Sequence, residues 1–70
     1  TERREKQRVL YRALNTLHPK KRMVIVLHDI DNKTMEEIAE IVNVPVGTVK
    51  SRLFHARDEM KTVLSRIWDG

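Results

Sequence analysis

The 70-residue chain has no cysteine, two glycines, two prolines and three aromatic residues. Without cysteine, disulfide staples and thiolate metal sites are excluded. A chain so near the lower size limit for a single core must then be held by packing alone. Such a chain suits a reducing compartment, and a cytoplasmic protein is expected. No apolar run approaches membrane-spanning length and no signal peptide is visible, so no membrane partner is expected. His18, His28 and His55 lack the i, i+4 pairing and neighbouring carboxylates of a zinc site, which makes them surface or helix-end residues and leaves no metal or cofactor to expect. No catalytic machinery is evident either, and the chain reads as a binding domain rather than an enzyme. There is no internal repeat or low-complexity segment.

What is present is charge, unevenly placed. Fourteen Lys and Arg stand against ten Asp and Glu, a formal charge of +4. Glu36, Glu37 and Glu40 gather together, whereas residues 46–57 carry Lys50, Arg52, His55 and Arg57 with no carboxylate at all. That polarity favours a polyanion on one side; a solvated surface of mixed charge accounts for Glu2 to Arg8 but poorly for the acid-free stretch. Thr1 in first place and the charged run Glu2–Arg8 read like the end of a linker, so residues 1–70 are expected to be one domain excised from a longer protein.

Apolar periodicity predicts four helices. Val9, Leu10, Ala13, Leu14 and Leu17 form one stripe of a helix from about residue 3 to 17. Pro19 ends it and fits the first turn of a second helix, predicted over Pro19 to His28. Met23 to Leu27 is apolar and β-branched enough for a strand, but no second strand exists to pair with it. Residues 29–33 read as a turn with Ile30 as an apolar anchor. Thr34 and Glu37 have capping-box spacing and open a third helix to about Val42, with Ile38, Ala39 and Val42 inward. Asn43, tolerant of a left-handed backbone, marks a corner. Pro45 starts a fourth helix, predicted to run to about Arg66, whose stripe Val49, Leu53, Ala56, Met60, Val63, Ile67 advances by four and three alternately.

The third and fourth helices therefore make a helix-turn-helix over about residues 34–57, within an all-α, four-helix domain whose last helix is long. A recognition helix enters the major groove only if its leading turns carry short polar or cationic side chains while its rear face grips a supporting helix. Thr48, Lys50, Ser51 and Arg52 meet the first demand, and Val49 and Leu53 the second.

On these residues the chain resembles region 4 of bacterial sigma factors of the extracytoplasmic-function group. The likeness runs from about Leu10 to Leu64 and includes Leu14-Asn15-Thr16-Leu17-His18-Pro19, Arg22 to Leu27, and Thr34 to Glu40. Its most specific part is Gly47-Thr48-Val49-Lys50-Ser51-Arg52-Leu53, followed by Ala56-Arg57. The resemblance implies promoter recognition at the minus-35 element during transcription initiation, docking on the β-subunit flap of core RNA polymerase, and restraint by an anti-sigma protein. Asn43 stands where the family usually has Gly, Asn32-Lys33 replaces a Gly-containing loop, and His55 sits where Arg is frequent. A neutral imidazole offers one donor where a guanidinium offers a fork.

Lys50 and Ser51 match the family's base-contacting positions. Phe54, aromatic on an outward face, suits thymine methyls or sugar edges, against the alternative of closing a small local cluster. Thr48 and Arg57 are candidates for phosphate, Gly47 for close approach of the sugar-phosphate backbone, and Lys33 and Arg22 for further phosphate contacts. Arg52 borders the apolar stripe and is expected to turn back towards Glu36 or Glu37 in a structural or dual role. Two rival readings remain: a LuxR-type response-regulator domain, which would bind as a dimer where this domain is expected to be monomeric, and a sigma-like module kept mainly for protein docking.

Overall fold

Thr34 opens its helix as the spacing predicts. Its hydroxyl accepts from the Glu37 backbone N–H at 3.1 Å, and the Glu37 carboxylate accepts from the Thr34 N–H at 2.9 Å, so two otherwise orphaned donors are satisfied reciprocally. A computed structural model describes residues 2–69 of the chain, with side chains to residue 68. In order these form α1 (Glu2–Thr16), α2 (Pro19–Ile25), a π-helical segment (Val26–Ile30), α3 (Met35–Val42) and α4 (Val46–Asp69). The all-α helix-turn-helix architecture is as the periodicity predicts.

Each corner has a local cause. His18 caps α2, its Nδ1 accepting from the Lys20 N–H at 3.2 Å, and Pro19 takes the first helical position. Asn43 ends α3 in the left-handed region at φ 56°, ψ 52°, and the Val44 N–H returns to the Ala39 carbonyl at 3.1 Å. Asn32 also has φ 56°. Both departures from the family's glycines thus fall where the backbone is left-handed, and asparagine is the side chain that bears this best.

The second helix differs from expectation. It is α-helical only to Ile25 and then widens into a π turn, with the Asp31 N–H bonded to Val26 O at 3.0 Å and the Lys33 N–H to Leu27 O at 2.9 Å. Within it Leu27 packs against the core while the side chains of His28 and Asp29 reach Arg57 on α4. Ile30 is carried outward by the same turn and is 44% exposed, so it is not the buried anchor its apolarity suggests.

The core is wholly aliphatic. Ala13 and Leu14 from α1, Leu17 just after it, Val24 and Ile25 from α2, Ile38 from α3, and Val49, Leu53, Ala56 and Met60 from α4 are buried, and among the described residues no polar side chain is buried with them. Leu10, predicted on the inner stripe of α1, is 38% exposed because the charged first half of that helix extends beyond the packed part. Phe54, Tyr11 and Trp68 all lie on the surface. The 24 residues of α4 correspond to about 36 Å of helix. This matches the longest dimension of the molecule, 37 Å, so α4 is the beam against which the other helices pack.

Candidate nucleic-acid interface

The buried positions of α4 fix what its other face can do. Val49, Leu53 and Ala56 are held against the core. At about 100° per residue, Gly47, Ser51 and Phe54 then project opposite them, with Lys50 and Arg57 on one flank and Arg52 on the other. The side chains of Lys50 and Ser51 are exposed and make no hydrogen bond or ion pair among the described residues. Phe54 is 71% exposed and its ring meets the edge of His55 at 5.5 Å between centroids and 83° between planes. A ring so open gains little from burial in this chain, and His55 is its one aromatic neighbour among the described residues.

Gly47 occupies the second position of α4 with an ordinary negative φ, and a β-carbon built on it meets nothing within 4 Å. The fold therefore makes no demand for glycine there. Thr48 is half-buried and its N–H bonds to the Pro45 carbonyl at 2.9 Å, which sets the first turn.

Three predicted contacts are placed differently from expectation. Arg22 is half-buried, and its guanidinium donates to the carbonyls of Leu14 at 3.1 Å, Leu17 at 3.0 Å and Asn15 at 3.5 Å. It clamps the end of α1, whose last carbonyls have no helical partner, instead of standing ready for phosphate. Arg52 does not turn back to Glu36 or Glu37. It lies half-buried beside Pro19, Met23, Val42 and Val44, where its stem covers apolar surface, while the Glu37 carboxylate is committed to the capping box. Arg57 is exposed but paired: its Nη2 lies 2.7 Å from Asp29 Oδ1 and 3.1 Å from His28 Nδ1.

These pairings leave electrostatic traces. Partial burial alone would raise the Asp29 carboxyl, but the hydrogen bonds and charges of Arg57 and His28 outweigh it and hold the group below its ordinary value. Glu37 is also lowered, chiefly by its backbone hydrogen bond from Thr34, then by the Thr34 side chain, with the Lys33 ammonium assisting. Lys33 itself is half-buried at the start of the motif.

One cation escaped the sequence reading. Lys50, Phe54, Arg57 and Lys61 follow i, i+4, i+7, i+11 spacing, and together with Met35 and Asp58 they border one shallow concavity along α4. That spacing was legible; the pairing of Arg57 with Asp29, 28 residues away, had no sequence signal.

Comparison with known proteins agrees with this geometry. Residues 7–60 match the family described as Sigma-70, region 4. The chain is 43% identical over 54 residues to the ECF RNA polymerase sigma-E factors of Escherichia coli (strain K12) and Salmonella typhi, covering 77% of this chain and 28% of each relative. The sigma-E factor of Haemophilus influenzae is 37% identical over the same length, covering 29% of that protein. The chain thus spans under a third of the length of the curated relatives it matches. Among the described residues no helix is long and apolar enough to cross a membrane, and no group of three or more His, Asp or Glu is placed to hold a metal ion. With a helix-turn-helix whose long final helix turns its bare polar side outward, and a match that covers most of its length, the chain belongs to the Sigma-70, region 4 family.

Proposed function

We propose that this domain inserts the first turns of α4 into the major groove of duplex DNA and reads the minus-35 element of promoters, as part of a sigma factor that directs core RNA polymerase in transcription initiation. The observation that supports this best is the division of α4: Val49 and Leu53 are buried while Lys50, Ser51 and Phe54, from the same turns, are exposed. Lys50 and Ser51 supply base contacts, Phe54 an apolar contact, Thr48 a hydroxyl for phosphate and Gly47 room for the backbone, with His55 tuning base preference. The domain works by binding, not catalysis, and does so where polymerase and chromosome meet in the cytoplasm. The apolar groove bordered by Leu10, Ile25, Ile30, Met60 and Leu64 leaves surface for the polymerase flap or an anti-sigma protein.

Energetics explain why such a domain belongs to a larger assembly. One good bidentate base contact discriminates by about 1–3 kcal/mol, and phosphate neutralisation alone gives binding of roughly 10⁻⁴ to 10⁻⁶ M. Tethering to polymerase raises the effective concentration without new contacts. Selection of bound duplexes from a random pool tests the reading. Lys50→Ala and Ser51→Ala should each relax the selected sequence; unchanged selection by both variants would refute the assignment.

A further inference from the structure

Arg57 lies on the same stripe of α4 as Lys50 and Phe54, yet it alone of these faces an acid on its own chain. Lys50 and Lys61, its cationic neighbours on that stripe, have no ion pair among the described residues. We infer that Asp29 occupies, within the protein, the place that a DNA phosphate takes on the bound domain, and so restrains how tightly the Arg57 edge of α4 grips any duplex. The inference rests on the DNA-binding reading above and concerns the regulation of that same face.

The chemistry is one of like acceptors. A carboxylate and a phosphate both present paired anionic oxygens to a guanidinium, and a surface pair held by one contact exchanges readily between them. Asp29 and Arg57 keep side-chain exposures of 40% and 51%, so a phosphate can reach the guanidinium without unfolding anything. The acid stands in the π-helical segment, from which its side chain reaches Arg57 on α4, and π turns of this kind are frequent at functional positions. His28 Nδ1 sits 2.7 Å from the same Asp29 oxygen and 3.1 Å from Arg57. One ring nitrogen can donate to the acid or accept from the guanidinium but not both, so the histidine cannot lock the pair from both sides. Asp58, the one carboxylate that borders the concavity among the described residues, makes no ion pair with Arg57.

The test is a thermodynamic cycle on the 70-residue chain, binding one fluorescent duplex of unselected sequence at 50 and 200 mM salt. Asp29→Ala is expected to bind about 3-fold tighter or more at 50 mM, and one added phosphate contact should erode that advantage about 3-fold by 200 mM. Arg57→Ala should cost more in the Asp29→Ala background than in the parent, and the double variant should lose the gain. A gain that survives in Arg57→Ala would mean bulk charge repulsion by Asp29 and would overturn the inference, as would no gain at all. Lys50→Ala separates the two levels. If it binds like the parent, or if the parent binds no duplex at 50 mM, the DNA reading falls and the inference with it; if only the Asp29–Arg57 coupling is missing, the DNA reading stands. Helix content is measured for every variant, and Asp29→Asn replaces Asp29→Ala if the latter unfolds.

Discussion

Gly47→Ala should move stability and DNA affinity in opposite directions. Glycine is the weakest ordinary helix former, about 1 kcal/mol worse than alanine in a helix interior, because it surrenders the most backbone freedom on folding. Position 47 lies in the opening turn of α4, where only part of that difference applies, and about 0.5 kcal/mol is a fair allowance. Nothing offsets the gain, since the added β-carbon has no neighbour within 4 Å and φ is not positive. For a domain of this size 1 kcal/mol corresponds to about 4–8 °C, so the thermal midpoint should rise by about 2–4 °C. In the proposed complex the same methyl would project between Ser51 and Phe54, towards the sugar-phosphate backbone. Forcing a methyl into a close-packed contact costs about 1–3 kcal/mol, roughly a 5-fold to 150-fold loss of affinity. Circular dichroism at 222 nm measures the first effect and fluorescence anisotropy with a selected duplex the second. A lower midpoint would mean the fold does require glycine; an unchanged affinity would mean that no backbone approaches here.

Two further outcomes concern stability. Asn43→Val should destabilise by about 1–2 kcal/mol, because a β-branched side chain resists the left-handed backbone at the α3 corner, whereas Asn43→Gly should match or exceed the parent in urea unfolding. Acid should also weaken the fold: Asp29 and Glu37 are held below their ordinary values when folded, so the unfolded chain binds protons first. Their contribution is complete only above the ordinary values, 3.8 for Asp29 and 4.5 for Glu37, and is lost as pH falls through the lowered ones. Stability measured from pH 5 to pH 2 should decline less steeply in Asp29→Asn; an identical slope would refute the pairing with Arg57.

The elements that sequence made legible are those whose cause is local. Thr34 and Glu37 are three residues apart, Asn43 carries its own tolerance for a left-handed turn, and the spacing of Val49, Leu53, Ala56 and Met60 determines both the buried and the bare side of α4. The π turn was not legible, because widening a helix by one residue changes a hydrogen-bond register that no residue type encodes. The outward Ile30 and the pairing of Arg57 with Asp29 go with that turn and were no more legible. The partners of Arg22 and Arg52 were illegible for a related reason. A long cationic side chain can satisfy carbonyls, cover apolar surface or face solvent, and only the packing of distant elements decides among these. The candidate site was readable where one helix builds it and unreadable where two meet.

An aliphatic interior with every ring left outside has an optical corollary. Trp68, 61% exposed, is bathed in water whether the chain is folded or not, and Tyr11 at 55% fares little better. Emission wavelength and near-ultraviolet dichroism will therefore barely register the folding transition. The methyl groups of Leu14, Val24, Ile38 and Leu53 are the natural spectators of this domain's cohesion, and their resonance dispersion will separate a tightly interlocked interior from a merely collapsed one.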